Sequence, residues 1–529
     1  MTGARQRPAW QVTWAIKRHR YLKWFARPLP IRNAWLSRLT VGDILFLLPY
    51  FLVIGAVLGT TLVDFLSTGG VNSAHPSGGP GGGGNGGDNQ PQNDDASSIG
   101  TFGTILLALA LVPVGHNSVL AFLLNLPFDR AITYHRWQAY AAFGMLAAHG
   151  AMYIDWYTTD SALFPSGATV QLLDGVFGTN GSGLTAFGLL TLIVLTSLPF
   201  IRRRLFEVFY RAHLFLFLLF LIAAVVHQGS TIVILAPALV LYAGDWYLRV
   251  RNTLRPFHVA SLTALPCGTI ELTVDDTQTP LGFEAGQYCF ICVPALSRFE
   301  FHPFSVSSSP REAAVTFHIK PAGNWTRRLA KLASESPKGV KVHIDGPYGE
   351  LSTPLPCYDR FLLFAGGIGV TPMASIYKDL SSRQEAVKSL ELIWMVRDHA
   401  MLHLLETMGL TAETQSRHIA KSAVLTPPEA SVVAPPKVLA TTQVFVTGKD
   451  VERTLPPATS KGVPCLFRRG RPDVNQILRD TEAKMAPHET CAVLVCGPQA
   501  LQDTLRCACI ARNRLNGHRF VLHEESFSL

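Results

Sequence analysis

The sequence predicts a multi-domain membrane protein, in which a bundle of six transmembrane helices is followed by a β-rich domain and an α/β domain. Of its 529 residues, 48% are hydrophobic and only 16% are charged, which suits a membrane protein with a soluble part. Long apolar stretches stop near residue 249, and from Phe257 onward strand-like and then alternating strand and helix patterns take over. Much of the net charge of +9 flanks apolar segments, and we find no nucleic-acid motif, so a lipid bilayer is the expected partner.

The predicted membrane domain covers residues 41–252 and follows an N-terminal segment, 1–40. Six stretches in it reach the roughly 20 residues that a spanning helix needs. They are residues 42–66, 101–126, 132–154, 184–201, 206–228 and 231–249. The Gly-rich segment 67–100 between the first two is predicted to be a disordered outer loop, because its composition cannot bury enough apolar surface to fold.

Charge predicts the orientation of this domain. The second and fourth connectors carry arginines, including Arg130 and Arg202–Arg204, whereas the connectors 67–100 and 155–183 contain no Lys or Arg. The positive-inside rule therefore predicts that both termini are cytosolic. We favour the plasma membrane, and an endosomal or vacuolar membrane would give the same topology.

Two pairs of histidines lie in the third and fifth predicted spans. His135 and His149 are 14 positions apart, and so are His213 and His227. Fourteen helical steps come to nearly four turns, so each pair lies along one face with about 21 Å between its two levels. Because both spans run from inside to outside, His135 should face His213 and His149 should face His227. The pattern predicts two bis-histidine haem sites, with a proton path or a zinc site as alternatives.

Motifs for a flavin follow in the β-rich part. The stretch "HPFS" (302–305) is followed by "HIKPAGNWTRRL" (318–329). The Phe304 ring would lie against the flavin, Ser305 would hydrogen-bond its redox edge, and side chains and backbone around them would hold a pyrophosphate. The candidate residues are His302, Pro303, Phe304, Ser305, His318, Lys320, Gly323, Trp325 and Thr326.

Motifs for a nicotinamide nucleotide come next. "FLLFAGGIGVTPMASI" (361–376) predicts a strand, a glycine turn and a helix start, where the backbone can approach phosphate. "AVLVCGP" (492–498) is a second strand that ends at a plausible nicotinamide position. Arg397 and Arg471 could hold a 2′-phosphate, favouring NADPH over NADH, although each could instead be an ordinary structural arginine. The candidate residues are Gly366, Gly367, Gly369, Thr371, Pro372, Arg397, Arg471, Cys496, Gly497 and Pro498.

Taken together, these motifs resemble the ferric reductase/NADPH oxidase superfamily over roughly residues 100–529. The shared features are the two H-x13-H pairs, "IRRRLFEVF", "HPFSVSS", "GNWT", "DGPYG", "GGIGVTP" and "CGP". The resemblance implies two b-type haems, a ferredoxin-reductase-like FAD β-barrel (253–355) and an NADPH-binding α/β domain (356–529) with a Pro-rich insertion near 421–440. In the family a C-terminal aromatic ring lies near the flavin, and Phe527 is the candidate here, whereas Asn324 replaces the family's frequent Asp.

The resemblance also implies electron transfer from cytosolic NADPH through FAD and two haems to an outer acceptor. Each step moves electrons, so we expect no catalytic residues beyond those that hold the cofactors. Oxidases resembling the phagocyte enzyme have H-x12-H in the fifth span and a further histidine one turn after the outer ligand of the third. This chain has H-x13-H and Tyr153 instead, no arginine in its first span, and acidic outer loops.

We therefore expect an NADPH-dependent ferric-chelate or cupric reductase that acts on Fe(III) or Cu(II) in metal uptake. A superoxide-generating NADPH oxidase with O2 as acceptor is the alternative, and a non-catalytic haem-binding membrane protein is a third. An oligomer is compatible with the sequence.

Overall fold

The structure is a computed structural model in which the chain divides into two compact units, made up mostly of Leu39–Tyr247 and Leu248–Leu529. The residues that it describes are 41–49, 51–52, 55, 59, 94–115, 128–159, 178–253, 256–275, 281–298, 300–335, 339–349, 358–382, 387–410, 439–448, 465–487, 489–516 and 519–525. Most of the predicted Gly-rich loop, the Pro-rich insertion and Phe527 lie outside these ranges.

The first unit is helical. Its helices are α1 (Asp94–Leu111), α2 (Phe128–Thr159), α3 (Thr179–Thr196), α4 (Pro199–Arg204), α5 (Phe206–His227) and α6 (Thr231–Thr253). A single 3-10 turn, Val112–Val114, extends α1, and residues 41–49 are also helical.

Four helices among the described residues are long and apolar enough to cross a membrane. They are Ala96–Val114, Thr179–Thr196, Val208–His227 and Thr231–Arg251, and they match the second, fourth, fifth and sixth predicted spans. The third predicted span lies within α2, which is longer, at 32 residues, but less apolar because it holds Arg136, Gln138 and two histidines. The first predicted span, 42–66, is described only in part.

Two helices begin earlier than predicted. α1 begins at Asp94, so residues 94–100 are helical and their assignment to a disordered loop was wrong; α3 begins at Thr179. The predicted starts followed the apolar stretches, whereas the residues before them, DDASSIG (94–100) and TNGSG (179–183), are mostly small or polar and give no hydropathy signal for a span.

Packing in this unit pairs α1 with α2 and α3 with α5. Leu106, Ala142 and Leu235 are fully buried between the helices, whereas large apolar side chains such as Phe215 and Val233 point outward. An apolar surface on both the inside and the outside of a helical bundle is what a lipid environment requires.

The second unit begins with an antiparallel barrel. Its strands are β1 (Pro256–Ala264), β2 (Ile270–Asp275), β3 (Tyr288–Cys292), β4 (His302–Ser305), β5 (Ala314–Ile319) and β6 (Lys341–Tyr348). They are ordered β4-β3-β6-β1-β2-β5, and a bridge between Val306 and Phe317 joins the two ends of the sheet. Helix α7 (Asn324–Ser334) packs its apolar face against this barrel, with Trp325 and Leu329 in the core.

A parallel sheet with helices follows. Its strands are β7 (Arg360–Gly366), β8 (Ser389–Val396), β9 (Leu439–Val446), β10 (Cys465–Arg469), β11 (Cys491–Cys496) and β12 (Phe520–Glu525). Its helices are α8 (Val370–Ser382), α9 (His403–Thr407), α10 (Val474–Ala483) and α11 (Gln499–Asn516). The order β10-β9-β8-β7-β11-β12 is parallel throughout, which confirms the predicted α/β domain.

Candidate functional site

The four membrane histidines form two pairs in the structure. The ring centroids of His135 and His213 lie 6.3 Å apart, and those of His149 and His227 lie 6.1 Å apart. Two imidazoles that bind one metal ion from opposite sides place their centroids roughly 6 Å apart, because each metal–nitrogen bond is about 2.0–2.1 Å long. Both separations therefore fit an iron held between α2 and α5 at each of two levels.

At one level, both rings are held through backbone carbonyls. Nδ1 of His149 lies 2.6 Å from the Ala96 carbonyl oxygen, and Nδ1 of His227 lies 2.7 Å from the Thr179 carbonyl oxygen. A carbonyl can only accept, so each Nδ1 must carry the proton and each Nε2 keeps its lone pair. A lone pair on Nε2 with a bonded Nδ1–H is the arrangement of a metal-ligating histidine.

The other pair uses two kinds of acceptor. Nδ1 of His135 lies 2.8 Å from the Ala110 carbonyl oxygen in the last turn of α1. Nδ1 of His213 lies 3.2 Å from the Ser197 hydroxyl oxygen, and this hydroxyl donates its own proton to the Ile193 carbonyl at 2.6 Å. The hydroxyl therefore accepts from His213, and both Nε2 atoms of this pair also keep a lone pair. The sequence had not indicated Ser197, since a serine near the end of a helix is common.

Aromatic rings and buried polar atoms meet at the predicted flavin site. The His302 ring lies 4.4 Å from that of Trp325, and the Phe304 ring stacks on Trp325 at 5.9 Å. Nε2 of His302 and Nε1 of Trp325 are buried and have no hydrogen-bond partner within the described part of the chain. Buried polar atoms normally find a partner, so these two fit a position beside a bound polar group.

The start of α7 supplies an anion-binding feature next to these rings. Gly323 is its N-cap, and no acidic side chain lies in its first turn. The Thr326 hydroxyl accepts from the Ala322 and Gly323 N–H groups at 2.9 and 3.0 Å and donates to the Gly323 carbonyl at 3.0 Å. Thr326 therefore fixes the turn, and this helix start together with the exposed Lys320 fits the predicted pyrophosphate site.

Burial controls the charge of His302 and His318, the two histidines predicted at the flavin site. Burial lowers the pKa of His302, and burial with the nearby Lys378 lowers the pKa of His318 to about 3. Both imidazoles are therefore neutral at pH 7. Nδ1 of His318 lies 2.7 Å from the Ser307 hydroxyl, and its buried Nε2 has no partner among the residues described.

The two glycine motifs meet at the carboxyl edge of the parallel sheet. A Cβ on Gly366 would lie 2.6 Å from Cδ of Pro498, and one on Gly369 would lie 2.5 Å from the Cys496 carbonyl oxygen. A Cβ on Gly497 would lie 3.0 Å from the Gly366 nitrogen. The ends of β7 and β11 therefore approach so closely that glycine is required at these positions.

Other predicted nucleotide residues lie at the same edge. Thr371 and Pro372 are buried in the first turn of α8, where the Thr371 hydroxyl donates to the Ile368 carbonyl at 3.0 Å. Arg397 follows β8 and Arg471 follows β10, and both side chains are exposed. In open parallel sheets, ligands bind outside the carboxyl ends of the strands, so this edge fits a nucleotide site.

A helical unit with facing histidines, followed by a barrel and a parallel sheet, is the architecture that the sequence predicts for a membrane-bound, cofactor-dependent reductase. Three family models match the chain: "Ferric reductase like transmembrane component" over residues 99–224, "FAD-binding domain" over 254–352 and "Ferric reductase NAD binding domain" over 358–510. The chain belongs to the ferric reductase/NADPH oxidase superfamily.

Similar proteins come from both branches of this superfamily. Ferric reduction oxidase 7, chloroplastic, from Arabidopsis thaliana is 28% identical over 59% of this chain and 44% of its own length. Human dual oxidase 2 is 28% identical over 76% of this chain and 28% of its own length. The chain thus spans less than half the length of either relative.

One solved structure is similar to part of this chain. A ferredoxin NADP+ reductase from Neisseria gonorrhoeae with bound FAD and NADP covers 51% of this chain, with 13% identity and a TM-score of 0.34.

Proposed function

We propose that this protein transfers electrons from NADPH across a membrane to a ferric chelate or Cu(II), with both chain termini on the NADPH side. The observation that carries the proposal is the pair of facing histidines at each of two levels, with all four Nδ1 atoms bonded to protein acceptors. This arrangement leaves four Nε2 lone pairs for two haem irons.

Bound FAD and haem would supply the redox chemistry, which is the conversion of a two-electron donor to one-electron transfer. The residues position these groups. His135 with His213 and His149 with His227 would hold the haems. The helix start at Gly323 with Lys320 would hold the FAD pyrophosphate. The carboxyl edge of the parallel sheet, around Gly366, would hold NADPH.

Superoxide production is the second candidate function, because dual oxidases match a larger share of this chain than the ferric reduction oxidase does. The residue one turn after His149 favours the metal acceptor. It is Tyr153, whose ring centroid lies 5.0 Å from that of His149. Oxidases resembling the phagocyte enzyme are expected to have a histidine at this position. This chain has the phenol of Tyr153 instead, which offers no second imidazole at this level.

Superoxide dismutase distinguishes the two functions. We expect NADPH-driven formation of Fe(II) by membranes or purified protein to be unaffected by the dismutase, because the metal would take electrons directly. The measurement is Fe(II) trapped by a chromogenic chelator, with and without the enzyme. Complete loss of Fe(II) formation would show that released superoxide had reduced the iron, and the proposed acceptor would be wrong.

Replacing Arg397 with alanine should weaken use of NADPH but not of NADH. A charged hydrogen bond to a 2′-phosphate contributes about 1.5–3 kcal/mol, so the KM for NADPH should rise roughly tenfold or more. Arg471→Ala should act in the same direction, and flavin reduction kinetics with each nucleotide would measure both. Arg479→Ala is the matched control, since this exposed arginine bonds to Gln476 of its own helix. An equal loss with both nucleotides would contradict the assignment.

A further inference from the structure

His149 and His227 form the pair at the predicted outer level of the membrane domain, and their surroundings share one feature. In both cases a glycine lies one helical turn after the carbonyl that the histidine ring contacts. Ala96 accepts from His149 and precedes Gly100 by four residues, and Thr179 accepts from His227 and precedes Gly183 by four residues. The first set lies on α1 against α2, and the second lies on α3 against α5.

Helix geometry explains why the glycines occupy these positions. Each Cα–Cβ bond in an α-helix tilts toward the N-terminus, so a side chain covers the turn that precedes its own Cα. The side chain at position i+4 therefore lies over the carbonyl of position i. Glycine at i+4 leaves this carbonyl open to a second donor from a neighbouring helix.

The distances show that no side chain would fit. A Cβ at Gly100 would lie 2.6 Å from Nδ1 of His149, and a Cβ at Gly183 would lie 2.8 Å from Nδ1 of His227. Carbon and nitrogen in contact normally stay roughly 3.5–4 Å apart, so either substitution would push the ring away by about 1 Å. The hydrogen bond from Nδ1 to the carbonyl could not survive this displacement.

We propose that Gly100 and Gly183 are positioning residues for the outer haem, each of which opens a helix carbonyl so that it can fix the ring and the tautomer of a histidine ligand. This inference rests on the proposed haem ligation. The inner pair differs, because His135 contacts a carbonyl in the last turn of α1 and His213 contacts the Ser197 hydroxyl. The combination of an accepting carbonyl and a glycine four residues later therefore belongs to the outer pair of histidines. Loss of this combination should affect one haem only.

The test uses Gly100→Ala and Gly183→Ala in the full-length protein. We expect each variant to lower the outer haem content at least about twofold, or to shift the g-values and midpoint potential of that haem, while the inner haem keeps its wild-type spectrum. Alanine favours a helix over glycine by about 1 kcal/mol, so helix destabilisation would not produce this result. Haem per FAD, low-temperature EPR and a redox titration give readouts that do not depend on turnover.

Matched controls are available on α2 and α3. A Cβ at the exposed Gly144 or Gly188 would meet nothing within 4 Å, so Gly144→Ala and Gly188→Ala should keep both haems unchanged. Loss of both haems, or an unchanged outer haem, in the Gly100 and Gly183 variants would overturn the inference. The variant His149→Ala shows whether a negative result disproves only the role of the glycines or also the proposed haem ligation. If His149→Ala retains two normal haems, the ligand assignment itself is wrong.

Discussion

Replacing His149 with alanine should leave one haem per protein instead of two, while NADPH still reduces the flavin at its normal rate. The side chain of His149 provides one of two facing imidazoles, whose ring centroids are 6.1 Å apart in the wild-type pair. Alanine removes the Nε2 lone pair, and His227 alone cannot supply both axial ligands of a bis-histidine haem. Reduction of the acceptor should fall to background, since the outer level would carry no haem.

Two measurements separate the parts of this prediction. Haem and FAD are quantified in the same purified sample, and anaerobic stopped-flow absorbance follows flavin reduction by NADPH. Gly144→Ala is the control on the same helix, because this glycine is exposed and a Cβ there would meet nothing within 4 Å. A normal haem content in His149→Ala would contradict the ligand assignment, and slow flavin reduction would show an effect beyond the membrane unit.

Gly369→Ala should slow flavin reduction by NADPH while leaving FAD and both haems in place. A Cβ at this position would lie 2.5 Å from the carbonyl oxygen and 2.9 Å from the carbonyl carbon of Cys496. These are backbone atoms at the end of the buried strand β11, so no flexible side chain can move aside. The cost of such overpacking is about 1–3 kcal/mol. If this cost falls on the transition state of hydride transfer, the rate should be roughly fivefold to 150-fold lower.

The readout for Gly369→Ala is the dependence of flavin reduction on NADPH concentration. Chemical reduction by dithionite serves as an internal control, because dithionite can reduce the haems without NADPH binding at the edge of the parallel sheet. We expect normal dithionite spectra together with slow reduction by NADPH. A wild-type rate with NADPH would contradict the placement of the nucleotide at the meeting point of β7 and β11.

The sequence predicted the structure best where the structure depends on a regular spacing of residues along a single helix or strand. With 3.6 residues per turn, each H-x13-H spacing places its two histidines along one face of a helix. Together with the common direction of the two spans, it predicts that His135 faces His213 and that His149 faces His227, and these rings face each other in the structure. The apolar runs 361–365, 391–396, 442–446 and 492–496 predict the central strands β7, β8, β9 and β11, since strands buried on both faces are apolar throughout. The edge strands β10 and β12 were missed, because "CLFRR" and "HEE" carry charges that a sheet edge tolerates.

What the sequence by itself determined is the class of architecture, the spacing of the two histidines along each helix and the glycine turns that follow β7 and β11, because each depends on a pattern within one stretch of the chain. Only the tertiary structure decided which atoms hold each ring. Ala96 and His149 are 53 residues apart, and their contact depends on how α1 packs against α2. The same packing shows why Gly100 must be a glycine: its role lies in the space it leaves for the ring of another helix, and no pattern along a single helix carries that information.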